Sequence, residues 1–122
     1  MSLAILGSVI VRLLGLVHGA NICVSEGVAL SDYAKMFPTG DRAHTVAAAI
    51  ESNDYQVKGG AAIDIALVSA ASLQDHAKDI GINSEIPDFA FSLFQRVIDA
   101  GYQGKESASL FKVLRGESAT NA

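Results

Sequence analysis

The sequence has few of the residues that cross-link or stiffen a chain: no Trp, one Cys and two Pro among 122 residues. A single cysteine, Cys23, excludes an intramolecular disulfide and fits a reducing, cytoplasmic location. Because Cys23 lies in an apolar run, we interpret it as a small buried hydrophobe rather than a reactive thiol. Aromatic residues make up only 7% of a chain that is rich in Ala, a composition that favours closely packed helices.

Clusters of basic residues are also missing, since the nine Lys and Arg are spread along a chain of net charge −4. Nucleic-acid-binding domains concentrate these residues on one face, so we expect no nucleic-acid partner. The histidines, His18, His44 and His76, have no metal-ligand spacing to one another or to Cys23. We therefore expect no metal site. No glycine fingerprint and no Ser/His/Asp set can be picked out either.

The longest apolar run, residues 3–24, is long enough to cross a bilayer. Arg12 near its middle, with His18 and Asn21 further along, argues against a membrane span because each is costly in lipid. No Lys/Arg cluster flanks the run, and no basic residue precedes it as in a signal peptide. We interpret it as a helix buried on most sides and keep a single-span membrane protein as the alternative.

Hydrophobic periodicity predicts an all-α fold of about five helices over a single domain, 1–122. The predicted helices cover residues 3–36, 42–50, 60–80, 84–100 and 106–115. The long first helix is followed by a bundle over 39–116 and a flexible tail over 117–122. The breaker Phe37-Pro38-Thr39-Gly40 ends the first helix, and either Thr39 or Asp41 can cap the second.

Two later helices have clear boundary signals and one apolar side each. Gly81 is placed to end the third helix, and Ser84 to begin the fourth. The apolar spacing predicts that these side chains face the core: Ile63, Leu67, Ala70, Ala77 and Ile80 in the third helix; Ile86, Phe89, Ala90, Leu93, Phe94, Val97 and Ile98 in the fourth; Leu110, Phe111 and Leu114 in the fifth. Asp64, near the start of the third, we assign to the helix dipole rather than to catalysis.

Two long segments resemble a known family. The run Asn53 to Gly81, NDYQVKGGAAIDIALVSAASLQDHAKDIG, and the ending Gly101 to Gly116, GYQGKESASLFKVLRG, resemble the C-terminal domain of the 3-hydroxyisobutyrate dehydrogenase family. This is the β-hydroxyacid dehydrogenase group related to 6-phosphogluconate dehydrogenase. Glu26 in SEGVALS matches the glutamate of that family's long interdomain helix. The resemblance implies an all-α, 6-phosphogluconate dehydrogenase-like C-terminal domain of an NAD(P)-dependent oxidoreductase.

The departures from the family pattern concern its active site. Counting back from Glu26 puts Ile10 at the position of the catalytic Lys and Leu14 at that of the Asn four residues later. Isoleucine cannot transfer a proton, and Arg12, the nearby cation, has too high a pKa to shuttle one. Arg12 is therefore only a candidate for substrate binding. A second family Lys, which reaches toward the cofactor, is replaced by Val68. We predict no catalytic, cofactor-binding or metal-binding residue in this chain.

The resemblance predicts a substrate-binding and dimerisation domain of a β-hydroxyacid dehydrogenase-like enzyme, inactive without a nucleotide-binding domain. NAD or NADP is expected only for a full-length parent, and the sequence leaves open whether the chain is excised or stands alone. The alternative is a non-enzymatic homodimerising or small-ligand-binding helical module.

Dimerisation is assigned to the first helix, whose apolar surface exceeds what one chain can cover. One predicted side holds Leu6, Ile10, Leu13, Leu14, Val17 and Val24, whereas Ile5, Val9, Leu16 and Ile22 point elsewhere. A seam containing Leu13 and Val17 is expected to pack on a twofold partner. Gly15 and Gly19 would then allow close approach of the two backbones.

Overall fold

The computed structural model describes residues 2–58 and 61–117, so the predicted tail beyond Glu117 and the predicted helix start at Gly60 lie outside the described residues. Within that part the chain is helical and has no strand beyond an isolated bridge between Ala62 and Glu106. The all-α prediction is confirmed. The helices are α1 Leu3–Glu26, α2 Leu30–Lys35, α3 Arg42–Ser52, α4 Ile63–Ile80, α5 Glu85–Asp99 and α6 Leu110–Leu114, with a 3₁₀ turn Ser107–Ser109 before α6.

The predicted helix over 3–36 is two helices, which corrects the sequence-based boundary. α1 ends because Gly27 adopts a left-handed conformation with φ 76°, and its N–H bonds back to the carbonyls of Cys23 and Val24. The N–H of Val28 also donates to the carbonyl of Cys23 at 2.8 Å. This pairing is the usual glycine termination of a helix. The predicted helix over 3–36 ran through Gly27 without a break.

Most other boundaries follow the predicted signals. Asp41 begins α3, since its carboxylate accepts from the N–H of Ala43 at 2.8 Å. Gly81 ends α4 with φ 74°. Ser84 is the residue before α5, but its hydroxyl donates to the Asp88 carboxylate at 2.9 Å and caps no backbone group.

The core lies between α1 and the pair α4–α5, and α1 contacts each of the other five α-helices. Its centre is formed by side chains with less than 2% exposure, among them Val17, Ile63, Phe94 and Leu110. On the predicted core faces, Ala70, Ala90, Leu93, Phe94 and Val97 are buried as expected.

Three side chains on those predicted faces are instead exposed. Ile80 is 55% exposed, Ile86 63% and Phe89 60%, so the prediction that they face the core is wrong. They lie near the ends of α4 and α5 that flank the short loop between these helices. The apolar stripe of each helix extends past the edge of the core, so its last side chains have no other helix of this chain to cover them.

α1 is only partly covered, although it is the central helix. The buried side chains are Ile10, Leu13, Leu16, Val17 and Ala20. Leu16, expected to point elsewhere, is therefore in the core, and Leu13 and Val17 pack inside their own chain rather than in a seam open to a partner. In its most apolar 18-residue stretch only 28% of residues are buried. By length and composition alone, α1 could cross a membrane.

Gly19 serves a contact within the chain, not the close approach of another chain that was predicted. A Cβ added at Gly19 would lie 2.9 Å from Cζ and 3.2 Å from Cε1 of Tyr33. The Tyr33 hydroxyl donates to the carbonyl of Leu16 at 3.1 Å, and its ring meets that of Phe37 edge-on with centroids 5.4 Å apart. A side chain at residue 19 would therefore force the Tyr33 ring away from its present position between α1 and α2. At Gly15 an added Cβ meets nothing within 4 Å.

Candidate functional site

An apolar groove of about 730 Å³ lies between α1, α5 and α6. We call it the α1–α5 groove. It is lined by Val11, Leu14, Gly15, His18, Glu85, Ile86, Phe89, Leu93, Arg96, Leu110 and Leu114. Ligand sites in proteins have this size and apolar character. The groove exists because α5 buries its inner face against the core while the outer face of α1 stays open beside it.

A second apolar cavity of about 300 Å³ lies between the start of α1 and the loop that joins α4 to α5. Ile10 lines this cavity together with Leu73, Ala77 and other residues of α4. Val11 and Ile86 line both cavities, so the two form one continuous apolar surface along α1.

Ile10 and Leu14, which occupy the positions of the family's lysine and asparagine, both contribute to this surface. Ile10 lines the smaller cavity and Leu14 the α1–α5 groove. Neither side chain carries a group that can donate, accept or transfer a proton. At the two positions where the resemblance implies acid–base chemistry, the cavities are therefore lined by hydrocarbon.

The charged and titratable groups of the groove stand at its edges. His18, Glu85 and Arg96 line it, and all three are exposed. The Glu85 carboxylate accepts from the side-chain amide of Asn83 at 2.8 Å, whereas Arg96 has no ion-pair partner within residues 2–58 and 61–117. This arrangement suits the binding of an apolar surface with charge at its rim.

Arg12, the candidate for substrate binding, lies on a different side of α1. Its Nη2 atom lies 2.7 Å from both carboxylate oxygens of Asp41, and its guanidinium lies 5.9 Å from the centroid of the Phe37 ring. The hydrogen bonds from Arg12 and from the N–H of Ala43 lower the pKa of Asp41. Arg12 therefore ties α1 to the start of α3, and a substrate would have to compete with that ion pair.

Val68 lies apart from Ile10, so the structure does not bring the two replaced lysine positions into one cavity. Its side chain is 65% exposed and lines a shallow depression of α4 with Asp64, Ile65 and Ser69. Asp64 stands in the first turn of α4, as the dipole interpretation requires, and its carboxylate also accepts from the N–H of Gly104 at 2.7 Å. Its role is to hold the loop before the 3₁₀ turn.

A buried polar cluster centred on Glu106 was not predicted from the sequence. This residue is only 4% exposed, and its carboxylate pairs with the guanidinium of Arg42. The carboxylate also accepts from the N–H of Ala108 at 3.1 Å, and the Arg42 guanidinium donates to the hydroxyls of Ser107 and Thr45. The sequence placed Glu106 only as the first residue of a predicted helix, and such a residue is ordinarily solvated. The cluster locks α3 to the last helical segment.

No His, Cys, Asp and Glu side chains come together as a metal site within the described residues. Cys23 is half-buried and packs against the core, in keeping with its interpretation as a small hydrophobe. Glu26 is the last residue of α1 and is exposed. The Gly59-Gly60 segment of the resemblance lies outside the described residues.

Comparison with known proteins supports the resemblance drawn from the sequence. The family model for the C-terminal domain of NADPH-dependent reductive aminase-like proteins matches residues 1–116. Among solved structures, 3-hydroxyisobutyrate dehydrogenase from Salmonella typhimurium is similar with a TM-score of 0.77 at 16% identity. The match covers 91% of this chain and 40% of that one, so the chain spans well under half of the dehydrogenase. No curated protein matches by sequence.

Proposed function

Because the chain belongs to the family of NADPH-dependent reductive aminase-like C-terminal domains, we propose that it is the substrate-side, dimerising part of an NAD(P)-dependent oxidoreductase. The prediction of a β-hydroxyacid dehydrogenase-type C-terminal domain is confirmed at the level of family and fold. The parent would supply the nucleotide-binding domain and would act on a small hydroxyacid or a related carbonyl compound. The chain by itself would bind no NAD or NADP and catalyse no hydride transfer.

The family match carries the assignment to an oxidoreductase, and the composition of the walls of the two cavities carries the expected lack of activity. Hydride transfer to or from a carbonyl carbon needs a group that gives a proton to the oxygen or takes one from it. At the positions that the resemblance assigns to this work, Ile10 and Leu14 present only hydrocarbon to the cavities. Arg12 is held by Asp41, so its guanidinium is engaged in an ion pair. Any proton donor would have to come from the rest of the parent or from the substrate.

We also propose that the chain forms a homodimer through the outer face of α1, in the cytoplasm and without a nucleic-acid or membrane partner. Exposed apolar side chains run along the helix: Ile5 56%, Val9 53%, Val11 42% and Ile22 48% exposed. Val11 and Ile22 lie on one side of the helix and Ile5 and Val9 on another. Val11 adjoins the apolar side chains of the α1–α5 groove, and a soluble monomer rarely leaves a contiguous apolar patch of this kind in water. A twofold partner would cover it by self-complementary packing.

An activity assay tests the proposal that the chain alone transfers no hydride. The purified chain, at micromolar concentration, is mixed with NAD+ or NADP+ and 3-hydroxyisobutyrate or a related hydroxyacid. In a second assay it is mixed with NADH or NADPH, a ketone and an amine. We expect no change in absorbance at the nicotinamide band and no quenching or enhancement of NADPH fluorescence. Hydride transfer that depends on the chain, and scales with its concentration, would contradict the proposal.

Sedimentation equilibrium tests the dimer. We expect twice the mass of the 12.7 kDa chain in detergent-free buffer. A folded monomer would contradict the proposed homodimer but would not bear on the expected lack of activity. Recovery of the chain only from membranes would contradict both the dimer and the cytoplasmic location.

The alternative function, a stand-alone module that binds a small apolar ligand, is favoured by one observation, the lining of the α1–α5 groove, which is mostly hydrocarbon. The two functions differ in what addition of an isolated family nucleotide-binding domain does. If the chain is the C-terminal domain of a longer enzyme, the added nucleotide-binding domain should associate with it. If the chain is a stand-alone module, its elution in gel filtration should not change.

A further inference from the structure

We propose that α5 of a second copy of this chain lies in the α1–α5 groove, antiparallel to the first α5, with Glu85 of each copy beside Arg96 of the other. This inference rests on the proposed homodimer. It adds which helix faces the partner, in which direction it runs and which side chains set that direction.

The outer face of α5 has the form of a helix–helix seam. Glu85, Phe89, Ser92 and Arg96 are all exposed, and the spacing between them is four, three and four residues. Side chains at this spacing form one stripe along a helix. Phe89 is 60% exposed and the adjoining Ile86 63%. Two large apolar side chains side by side on the surface of a short helix imply that something covers them.

The charges at the two ends of the stripe select the direction of the partner. Glu85 lies at the start of α5 and Arg96 in its last turn, roughly 16 Å apart along the axis at 1.5 Å per residue. Neither has a partner of opposite charge among residues 2–58 and 61–117. A parallel partner would put Glu85 beside Glu85 and Arg96 beside Arg96. An antiparallel one forms two Glu–Arg pairs, which is the arrangement that charge complementarity favours.

The antiparallel arrangement with Glu85 opposite Arg96 also places the exposed Phe89 against a smaller side chain. When Glu85 of one copy lies opposite Arg96 of the other, Phe89 lies opposite Ser92, so that a large side chain meets a small one. The groove beside α5 has a volume of about 730 Å³ and is lined by Leu14, Leu93 and Leu114. Phe89 of each copy can enter the groove of the other, and because the contact is twofold, both grooves are filled at once.

Charge reversal tests the direction. Arg96→Glu would place two pairs of like charges across the seam, and Glu85→Lys would do the same with opposite sign. We expect each single variant to weaken the dimer by about 10- to 100-fold in sedimentation at low salt. The double variant Glu85→Lys/Arg96→Glu restores the pairs in reversed order, and its dissociation constant should return to within about threefold of the wild-type value. Glu51→Lys, exposed on α3, is the matched control and should leave dimerisation unchanged.

Cross-linking gives a second readout that does not depend on charge. In a Cys23→Ala background, Ser92→Cys would place two thiols near the twofold axis, within the reach of a bismaleimide of about 10 Å. We expect a covalent dimer, whereas Ser72→Cys, exposed on α4, should give none.

The outcomes separate this inference from the homodimer on which it rests. A wild-type dimer that ignores both single reversals, or whose double variant stays dissociated, overturns the α5 seam and leaves the α1 dimer standing. Absence of the Ser92→Cys cross-link in a dimeric sample has the same meaning. A monomeric wild type overturns the homodimer as well. Variants should keep the far-ultraviolet dichroism of the wild type, which shows that lost dimer is not lost fold.

Discussion

The two sides of α1 differ in how completely this chain covers them. On one side, which we call the closed side, α2, α3 and the 3₁₀ turn are tied to α1 and to one another by directed polar contacts: the pair Arg12–Asp41, the bond from Tyr33 to the Leu16 carbonyl, and the pair Arg42–Glu106. On the other, the open side, α1 and α5 leave an apolar groove between them.

This contrast separates the side of α1 that the chain packs by itself from the side that it leaves open. Polar contacts of defined geometry specify one arrangement of neighbouring helices, because each donor that loses its partner costs free energy. The apolar groove specifies only that some apolar surface covers it. The closed side is therefore a complete interior, whereas the open side is the surface on which we propose that a second copy packs.

The largest effect on stability is expected on the closed side, from Glu106→Ala. The change leaves the Arg42 guanidinium without its carboxylate in a site where Glu106 is 4% exposed, and removal of one partner of a buried ion pair costs about 3–5 kcal/mol. Urea unfolding monitored by circular dichroism measures it. Glu51→Ala, exposed on the same helix as Arg42, should change the free energy of unfolding by no more than about 0.5 kcal/mol.

The double variant Arg42→Met/Glu106→Ala should recover part of the loss, because no unpaired charge then remains. If Glu106→Ala and the control Glu51→Ala lowered the free energy of unfolding by the same amount, the closed side would not depend on this ion pair.

Gly19→Ala should also destabilise the chain, by about 1–3 kcal/mol, because the added methyl overlaps the Tyr33 ring and separates α2 from α1. Gly7→Ala is the matched control on the same helix, since its nearest neighbour is Cδ2 of Leu73 at 4.0 Å. That control should be neutral or stabilise the helix by up to about 1 kcal/mol. Thermal unfolding of the two variants under the same conditions compares them. Equal melting temperatures would contradict the assigned contact.

A smaller, pH-dependent effect is expected from Asp41→Asn. The hydrogen bond from Arg12 lowers the pKa of Asp41 in the folded chain, so the folded state binds this proton less readily than the unfolded state. The resulting stability is fully present above the ordinary carboxyl pKa of about 4 and is lost as the pH falls through the folded value. The variant should therefore lose less stability between about pH 5 and pH 2 than the wild type does.

Arg12→Gln provides the comparison for this experiment, because it removes the cause of the shift and leaves the carboxyl in place. Its pH dependence should flatten in the same range. Urea midpoints at several pH values measure all three proteins. If Asp41→Asn kept the wild-type slope, the Arg12–Asp41 pair would have no part in closing that side of α1.

The smallest effect on folding is expected on the open side, from Phe89→Ser. At 60% exposure the ring contributes little to the fold of one chain, so at a concentration where the chain is monomeric the free energy of unfolding should change by no more than about 0.5 kcal/mol. Phe94→Ser on the same helix, at 0% exposure, should cost about 3–5 kcal/mol. Phe89→Ser should instead weaken the dimer in sedimentation. If both variants unfolded alike, the two sides would not differ as described.

The sequence was enough to predict the class of fold, most helix boundaries and the family. These depend on local chemistry: Asp41 can cap a helix start and Gly81 can end a helix wherever they occur, and the apolar spacing around Ala90, Phe94 and Val97 marks a buried face. The resemblance added the position of Ile10, and the structure places that residue in an apolar wall.

Periodicity could not show which apolar residues this chain covers itself. Leu13, Val17 and Phe89 look alike in the sequence, because a helix that packs on its own chain and one that packs on another have the same apolar stripe. Only the tertiary structure separates them, with Val17 at 0% and Phe89 at 60% exposure.

The polar contacts between distant segments could not be predicted from the sequence either. Arg42 and Glu106 are 64 residues apart, and nothing in either local sequence marks one as the partner of the other. The set of helices and their apolar stripes can be predicted from the sequence, since these follow from interactions within a few residues. The division of α1 into a closed and an open side cannot, because it depends on which distant segments pack together. The contacts that produce it, seen only in the folded chain, are Arg12 with Asp41, Gly19 with Tyr33 and Arg42 with Glu106.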